Sequence, residues 1–254
     1  MIRWPAEAIW EQVSPLLPDF SVEVLPQIDS TNSELMRRAR AGRIEPVLLV
    51  AESQTAGRGR LGRDWHSRIG ESLTLSLGLP LAPPDWAGLS LAVGVSVAES
   101  LHPDIGLKWP NDLWWQDRKL AGILIETAAV GAQRYAVIGV GINIAPRDAT
   151  GLATPPVWLQ ALEPGIDAPG ALARLAAPLV QAVKAFEVMG FSPFQARFAA
   201  RDVLRDRGVT LSDGTVGTAH GVDGTGALLV HTALGMKQIT SSEVSVRPSG
   251  RRET

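Results

Sequence analysis

The chain has 254 residues, 45% of them apolar, which is enough for one large domain with a small second one. Its 24 basic and 26 acidic residues give a net charge of −2, so any positive field is local and a broad nucleic-acid-binding surface is disfavoured. The absence of cysteine excludes a disulfide framework and thiolate catalysis.

Neither a membrane nor a protein-bound metal is expected from the sequence. The N-terminus lacks the apolar run of a signal peptide. The most apolar long segment, Trp86 to Leu101, is interrupted by Ser90, Ser96 and Glu99 and favours a buried helix over a membrane span. The four histidines are scattered without the spacing of zinc ligands. A reducing cytoplasm is compatible with the lack of cysteine and is the expected location.

The N-terminal part predicts a short helix from Pro5 to Val13 and a strand from Val22 to Leu25. The polar run Asp29-Ser30-Thr31-Asn32 then precedes a helix that extends to Ala41. Thr31 together with Glu34 fits a capping box. These polar side chains either only cap the helix or also line a polar pocket, and spacing alone favours the capping interpretation.

A strand over 47–51 leads to the segment Gly57 to Trp65, whose first seven residues include three glycines and three arginines. We call residues 57–65 the arginine loop. Glycine lets a backbone turn sharply and approach a ligand, and arginine offers a planar fork of donors to phosphate or carboxylate. The segment matches neither a P-loop nor a dinucleotide-binding motif. It predicts a loop wrapped around an anion; a solvated basic turn and an RNA-binding arginine–glycine segment are the alternatives.

Residues 72–79 predict a strand, and Pro83-Pro84-Asp85 is expected to start the buried helix, with Asp85 as its cap. Further on, Leu113–Trp115 and Lys119–Thr127 predict a hairpin. Alternation along its second strand would place Lys119 on the face of Ala121 and Ile123. Gly122 would then lie on the opposite face, where it allows a close approach.

Two lysines lie on adjacent short strands: Lys108, in a strand that ends at Trp109, and Lys119, at the start of the second strand of the hairpin. Asp112 lies in the turn between them. A lysine on an inner strand face is costly unless it meets an anion, although both could instead be edge residues whose charged ends reach water. With the arginine loop they predict a ring of cations around a polyphosphate. Such a ring would stabilise the charge that develops as a phosphoryl or nucleotidyl bond breaks.

Residues 135–144 predict a strand with one apolar face. The opposite face carries Gly139, Gly141 and Asn143, so it is either flat with a polar end or kinked at the glycines. Residues 145–167 are rich in proline and glycine and predict irregular structure.

Apolar residues from Leu172 to Phe186 have helical spacing, and Pro178 within them predicts a kink or two abutting helices. A second short helix is expected from Pro193 to Ala200. From Val209 onwards short β segments alternate with glycine-rich turns. We therefore predict an α+β fold, a mixed sheet with helices over residues 1–204 and a small β domain over residues 205–254.

The sequence offers no nucleophile–base pair. It has no cysteine, no Gly-x-Ser-x-Gly elbow and no pair of carboxylates in a cleft-like motif. An enzyme of this kind would let its substrates supply the nucleophiles and would itself contribute positioning and electrostatics.

Five motifs together resemble one known family in order and spacing. They are Asp29-Ser30-Thr31-Asn32, Gln54 to Trp65, Lys108-Trp109-Pro110-Asn111-Asp112, Arg118 to Leu124 and Gly139-Val140-Gly141-Ile142-Asn143. This combination resembles the biotin protein ligases, over residues 25 to 247. The resemblance implies the biotin–lipoate ligase fold, which is similar to class II aminoacyl-tRNA synthetases, followed by a small SH3-like β-barrel.

The resemblance also implies an activity. In that family the carboxylate of biotin attacks the α-phosphate of ATP, with Mg²⁺ assisting, and gives biotinyl-5′-AMP and pyrophosphate. A lysine of a biotin carboxyl carrier domain then attacks this anhydride. Both nucleophiles come from the substrates, in agreement with the missing catalytic pair.

Site residues follow from the resemblance by position. The biotin pocket would consist of Ser30, Thr31, Asn32 and Gln54. Contacts to both biotin and the adenylate would come from Arg58, Gly59, Arg60 and Lys119. Further contacts to ATP or its phosphates would come from Arg63, Lys108, Asn143 and Trp158, the last by stacking on adenine. The catalytic group would be Lys119, Arg60 and Asp112, with Asp112 orienting or deprotonating the carrier lysine. Trp65 is expected to anchor the loop in the core.

Two other functions remain open. A lipoate or octanoate protein transferase would share the fold, but the arginine loop and the motif at 108–112 favour biotin. A DNA-binding regulator with biotinyl-AMP as corepressor would need a helix-turn-helix domain, for which the 28 residues before Asp29 are too few. We therefore expect a monofunctional enzyme without a nucleic-acid partner, and the resemblance is compatible with a homodimer.

Overall fold

The computed structural model of the chain describes residues 2–147, 154–240 and 246–249. Within these ranges the chain forms five α-helices and twelve β-strands. The helices are α1 (Ala6–Val13), α2 (Thr31–Arg40), α3 (Leu89–Leu101), α4 (Ala168–Met189) and α5 (Ser192–Ala199). The strands are β1 (Ser21–Leu25), β2 (Val47–Ala51), β3 (Ser72–Pro80), β4 (Gly106–Lys108), β5 (Asp112–Trp115), β6 (Arg118–Val130), β7 (Gln133–Asn143), β8 (Gly208–Leu211), β9 (Val216–Val222), β10 (Leu228–Thr232), β11 (Gly235–Ile239) and β12 (Val246–Pro248). The predicted α+β class is confirmed.

Strands β1 to β7 form one sheet in the order β1-β2-β3-β7-β6-β5-β4. β1 and β2 are parallel, and the other neighbours are antiparallel. Both faces are apolar at β2: Leu48 and Val50 join the main core with α1, α3 and α4, whereas Val47 and Leu49 pack with α2. This sheet therefore lies between three helices on one face and one helix on the other.

The alternation predicted for β7 is confirmed. Its even-numbered residues from Ala136 to Ile142 belong to the main core. β7 pairs in regular register with both β3 and β6 through Gly139 and Gly141. The glycines therefore do not mark a bulge, and they leave the strand face flat.

The alternation predicted for β6 was wrong at Lys119. Asp112 pairs with Gly122, but Trp114 pairs with Lys119, so the register shifts between these pairs. This bulge turns Lys119 onto the face of Gly122, where a Cβ would lie 3.1 Å from the lysine Nζ. An inserted residue re-aims the side chains that precede it, which strict alternation cannot anticipate.

Two helices differ from expectation. α3 begins at Leu89, after Gly88 with φ of 81°, and Asp85 instead accepts a hydrogen bond from the Ala87 N–H in the preceding turn. α4 is a single helix of 22 residues that contains Pro178, so two abutting helices do not occur. None of the helices in the described ranges combines the length and apolarity that crossing a bilayer requires.

The predicted capping box at α2 was also wrong. Ser30 is the N-cap, and its hydroxyl accepts a hydrogen bond from the Ser33 N–H. Glu34 instead pairs its carboxylate with Arg37 and Arg38 in the following turn. The cap lies one residue earlier than predicted, and two arginines compete successfully for the glutamate.

Strands β8 to β12 form a second, antiparallel sheet in the order β11-β10-β9-β8-β12. The predicted small β module is present, but over the residues that the structure describes it is an open sheet and not a closed barrel. The boundary between residues 204 and 205 stays a prediction.

Candidate functional site

A cavity of about 440 Å³ lies where the N-terminus of α2, the arginine loop, the β5–β6 hairpin and the glycine face of β7 meet. All but two of the residues predicted for the site line it. They are Ser30, Thr31, Asn32, Gln54, Arg58, Gly59, Arg60, Arg63, Lys108, Asp112 and Lys119. The other two, Asn143 and Trp158, are not part of the cavity wall.

The N-terminus of α2 forms a neutral polar end of this cavity. Thr31 donates its main-chain N–H to Gln54 Oε1 at 2.7 Å, and its hydroxyl lies 3.1 Å from the same oxygen. The hydroxyl of Ser76, on β3, lies 2.7 Å from Thr31 Oγ1. Ser30 caps the helix and also lines the cavity. The capping and pocket interpretations of this motif therefore both apply.

Asn32 is held in one orientation by its neighbours. It is 4% exposed, its Oδ1 accepts a hydrogen bond from the Ser76 hydroxyl at 2.6 Å, and its Nδ2 donates to Glu126 Oε2 at 3.0 Å. The same carboxylate oxygen lies 2.7 Å from an Arg58 guanidinium nitrogen. A Cβ on Gly139 would overlap the Asn32 carboxamide, which explains the glycine there. The charge of Arg58 is thus balanced by a carboxylate at this end.

The arginine loop is a short hairpin. Gly59 donates its N–H to the carbonyl of Arg63 at 2.7 Å, and Trp65 donates its N–H to the carbonyl of Gly57 at 2.9 Å. A Cβ on Gly57 would overlap the Trp65 carbonyl, and Gly62 has φ of 69°. Two of the three glycines are therefore required by the hairpin itself, in addition to any approach to a ligand.

Cations line the opposite end of the cavity. Lys119 Nζ lies 2.7 Å from Asp112 Oδ1, across the β5–β6 hairpin. Arg60 donates to Asn111 Oδ1 at 3.2 Å, so this loop arginine reaches the residue that precedes Asp112. Burial lowers the pKa of Arg60 from its usual value, against the opposing effect of Asp112. An anionic ligand here would offset that desolvation.

Lys108 is the most buried of these cations, at 8% exposure. Its Nζ lies 5.1 Å from the centroid of the Trp114 ring, within the range of a cation–π contact. Burial lowers the pKa of Lys108 to about 8, Asp112 opposes the shift, and the positive charge of Lys119 adds to it. A fraction of this lysine is therefore neutral near pH 8 unless an anion binds.

Trp65 packs against the glycine face of the sheet. A Cβ on Gly141 would overlap its indole, and one on Gly122 would lie 3.7 Å from its Cζ3. The guanidinium carbon of Arg147 lies 5.7 Å from the centroid of the Trp65 ring. Trp65 also lines a second, polar cavity of about 500 Å³. Trp65 therefore anchors the loop against the glycine face of the sheet, but it belongs to neither apolar core cluster, so the expected anchor in the core was wrong in that respect.

The chain matches the model of the Biotin/lipoate A/B protein ligase family over residues 24–143 and that of the Biotin protein ligase C terminal domain over residues 207–247. It is 39% identical over 250 residues to the bifunctional ligase/repressor BirA of Escherichia coli (strain K12), covering 93% of this chain and 77% of that protein. The chain belongs to the biotin protein ligases.

Two further biotin protein ligases are similar over nearly their whole length. The biotin–[acetyl-CoA-carboxylase] ligase of Paracoccus denitrificans is 31% identical over 241 residues, 87% of this chain and 98% of that one. The solved structure of biotin protein ligase from Aquifex aeolicus in complex with biotin and ATP has a TM-score of 0.77 at 30% identity, covering 90% of this chain and 99% of that one. The predicted family and fold are confirmed.

Several residues that line the cavity, or hold the side chains that do, were not predicted. Asn111 lies in the motif at 108–112, but its hydrogen bond to Arg60 depends on the fold of the loop. Ser76 left a signal in the sequence, because small polar residues alternate along an otherwise apolar β3 and all three are buried: Ser72, Thr74 and Ser76. The β12 residues at 246–248, which line the cavity, left none, and neither did Glu126, which holds Arg58 and Asn32 from outside the wall. Tertiary packing alone brings these residues to the site.

Asn143 and Trp158 stand apart from the main cavity. Asn143 is 2% exposed and donates through Nδ2 to the carbonyls of Lys119 and Val157, each at 3.1 Å. It therefore braces the start of β6. Trp158 precedes the 3-10 turn Leu159–Ala161 and is half-buried. Their assignment to adenine stays a prediction, and residues 148–153 of that segment lie outside the described ranges.

Proposed function

We propose that this chain is an ATP-dependent biotin protein ligase that forms biotinyl-5′-AMP and transfers biotin to a lysine of a biotin carboxyl carrier domain. The observation that carries the proposal is the polarity of one cavity. Its neutral end, around Thr31 and Asn32, suits the ureido group of biotin, and its cationic end, around Lys119 and Arg60, suits a carboxylate next to a phosphate.

The first step forms an anhydride. A carboxylate oxygen of biotin attacks the α-phosphorus of ATP, and the bond between that phosphorus and the oxygen bridging to the β-phosphate breaks, so that pyrophosphate leaves. In this proposal Lys119 holds both anions together, and Arg60 and Lys108 add positive charge where negative charge accumulates; all three line the cavity. No side-chain nucleophile is needed.

The second step forms an amide. The ε-amino nitrogen of the carrier lysine attacks the carbonyl carbon of biotinyl-5′-AMP, the bond to the phosphate oxygen breaks, and AMP leaves as the amine loses a proton. Asp112 lies beside Lys119 in the cavity and is the carboxylate that would orient the amine or accept its proton.

The nucleotide substrate in this proposal is the magnesium complex of ATP. Mg²⁺ usually binds one or two carboxylates together with phosphate oxygens and water. The described residues contain no group of three histidine or carboxylate side chains placed for a metal, whereas Asp64, Asp112 and Asp117 line the cavity singly. The donor set therefore fits a metal that arrives with the triphosphate.

The proposal extends to the partners. The acceptor is the carrier domain of a biotin-dependent carboxylase, the enzyme acts in the cytoplasm, and it binds no nucleic acid. A self-association as a homodimer is compatible with the proposal and is not required by it.

One assay tests the function directly. The protein is incubated with labelled biotin, MgATP and a purified carrier domain, and label in the carrier is measured by mass spectrometry. We expect incorporation that requires both ATP and the carrier lysine. A carrier domain with that lysine replaced by arginine is the control and should remain unlabelled. Incorporation of lipoate instead of biotin would support the transferase alternative, and no incorporation of either would contradict the proposal.

A further inference from the structure

The β5–β6 hairpin, which carries Asp112 and Lys119, is attached to the C-terminal sheet at a point close to both residues. Its turn is formed by Gln116 and Asp117, which have φ of 50° and 56°. Asp117 receives two hydrogen bonds from the guanidinium of Arg207, at 2.6 and 3.3 Å. Arg207 directly precedes β8. The turn is therefore fixed from outside its own sheet.

The ion pair between Arg207 and Asp117 is more buried and more rigid in geometry than a typical surface ion pair. Arg207 is 9% exposed, and it meets the carboxylate with two guanidinium nitrogens. A bidentate contact fixes orientation as well as distance. Asp117 lies two residues before Lys119 and lines the same cavity. Any rotation of the turn would thus shift the Lys119 ammonium relative to the reacting atoms.

A second anchor holds the preceding segment. Trp109 is 1% exposed and donates its indole N–H to the carbonyl of Gly226, in the turn before β10, at 3.0 Å. Lys108 is its neighbour in the chain. Residues that flank strands of the C-terminal sheet therefore contact the cation-bearing segment both before β5 and after it, next to Lys108 and two residues from Lys119.

We infer that Arg207 is a positioning residue for biotin activation, which acts through Asp117 to hold Lys119 at the junction of carboxylate and α-phosphate. The inference rests on the proposed function. Arg207 itself does not line the cavity, so its effect must pass through the hairpin. The C-terminal sheet accordingly serves the first chemical step as well as supplying β12 to the cavity wall.

The experiment measures biotin-dependent exchange of pyrophosphate into ATP for the full chain and for Asp117→Asn, Arg207→Lys and the double variant. We expect each single variant to lose between about tenfold and a hundredfold in kcat, because small misplacements of a catalytic group have effects of this size. KM for biotin should change less than about twofold, since the pocket at α2 is untouched. The double variant should lose no more than the worse single variant, because both changes break one link.

Arg197→Lys is the matched control. Arg197 meets Glu99 with two guanidinium nitrogens as well, but this pair joins α5 to α3 and does not touch the hairpin. It should lower the melting temperature without lowering kcat in the folded protein. Hydrogen exchange over residues 112–122 should accelerate in Arg207→Lys and Asp117→Asn and stay unchanged in the control.

The outcomes separate the two proposals. Absence of biotin-dependent exchange in the unaltered chain would contradict the proposed function. Exchange in the unaltered chain, with kcat retained in folded Asp117→Asn and Arg207→Lys, would overturn the role of Arg207. An additive loss in the double variant would also overturn it, because Asp117 would then act independently of the arginine. If one variant does not fold, the other carries the same comparison.

Discussion

The Lys119 ammonium lies 2.7 Å from the Asp112 carboxylate, and in the proposed reaction it also contacts the carboxylate of biotin and the α-phosphate of ATP. We predict that Lys119→Ala loses about two to three orders of magnitude in the rate of adenylate formation, as expected for one charge-stabilising contact. Pyrophosphate release with biotin and MgATP measures the step. Lys237→Ala, on the exposed strand β11, is the control and should retain full activity. Release at the unaltered rate in Lys119→Ala would refute the assigned role.

Burial of the charged Lys108 side chain lowers the stability of the folded chain. Its pKa in the folded chain is about 8, lowered from 10.5 by burial. Below pH 8 the lysine is charged in both the folded and the unfolded chain, so folding desolvates a charge. Between pH 8 and 10.5 the folded chain has lost the proton and the unfolded chain still binds it, so this contribution to stability rises with pH. The shift corresponds to a cost on the order of 3 kcal/mol at neutral pH.

We therefore predict that Lys108→Met raises the free energy of unfolding at pH 7, by up to about 3 kcal/mol, and lowers activity. The gain in stability should shrink as pH rises from 8 towards 10.5, because the unaltered lysine becomes neutral there. Urea unfolding of both proteins at pH 7 and at pH 10 measures it. A gain that is equal at the two pH values would mean that burial of charge is not its source.

Among the elements, β7 shows how glycines create a binding face. Gly139 and Gly141 leave room for Asn32 and Trp65, each of which would overlap a Cβ. We predict that Gly141→Ala lowers the free energy of unfolding by about 1–3 kcal/mol, the usual cost of overpacking, and displaces Trp65. Tryptophan fluorescence and urea unfolding measure both effects. Gly224→Ala, where an added Cβ meets open space, should change stability by less than about 1 kcal/mol. Equal effects at the two positions would contradict this steric argument.

The arginine loop is held by few bonds of its own. The Gly59–Arg63 and Trp65–Gly57 hydrogen bonds close it, and Leu61 near its tip is 55% exposed with φ of 56°. We predict that biotin with MgATP slows tryptic cleavage after the loop arginines, because ligand contacts would oppose the local opening that cleavage requires.

The control for that experiment is within the chain. Arg43 is exposed in the connection between α2 and β2 and does not line the cavity, so its cleavage should be unaffected by ligand. Mass spectrometry of the early fragments distinguishes the sites. Cleavage of the loop at the same rate with and without ligand would mean that the loop does not close over it.

Elements with a strong period were predictable, and local exceptions to the period were not. The apolar face of β7 followed from alternation alone. The bulge in β6 did not, because the register shift depends on the pairing with β5. The predicted start of α3 was wrong for a similar reason. Pro83-Pro84-Asp85 is a good helix start in isolation, yet the helix begins only after Gly88, which has positive φ. Propensity is overridden where tertiary contacts decide.

On the scale of the whole molecule, the sequence motifs predict the residues that line the cavity but not the long-range contacts that hold those residues in place. The cavity residues predicted by resemblance are brought together from α2, the arginine loop and the hairpin. The contacts of Trp109 with Gly226 and of Asp117 with Arg207 join residues 117 and 90 positions apart. No local pattern in a single sequence encodes such pairs, since each partner alone is compatible with many environments.

The whole molecule should respond to the correct ligand as one unit, because the cavity wall draws on both sheets. A ligand that binds only the folded chain stabilises it by about 2.7 kcal/mol at a free concentration of 100 times its Kd. For a chain of this size that corresponds to a rise in melting temperature of about 5–10 °C.

We predict such a rise with biotin and none with lipoate at the same concentration. The neutral end of the cavity offers fixed donors and acceptors at Thr31, Asn32 and Gln54, which a ureido ring can satisfy. In the structure these groups bond to one another and to Ser76 and Glu126. A ureido ring can exchange hydrogen bonds with them, whereas a dithiolane ring offers none, so the polar end should discriminate between the two ligands. Thermal unfolding with each ligand, and with Asn32→Ala as the variant that should respond less to biotin, measures this. A larger rise with lipoate would show that the polar end is not built for biotin.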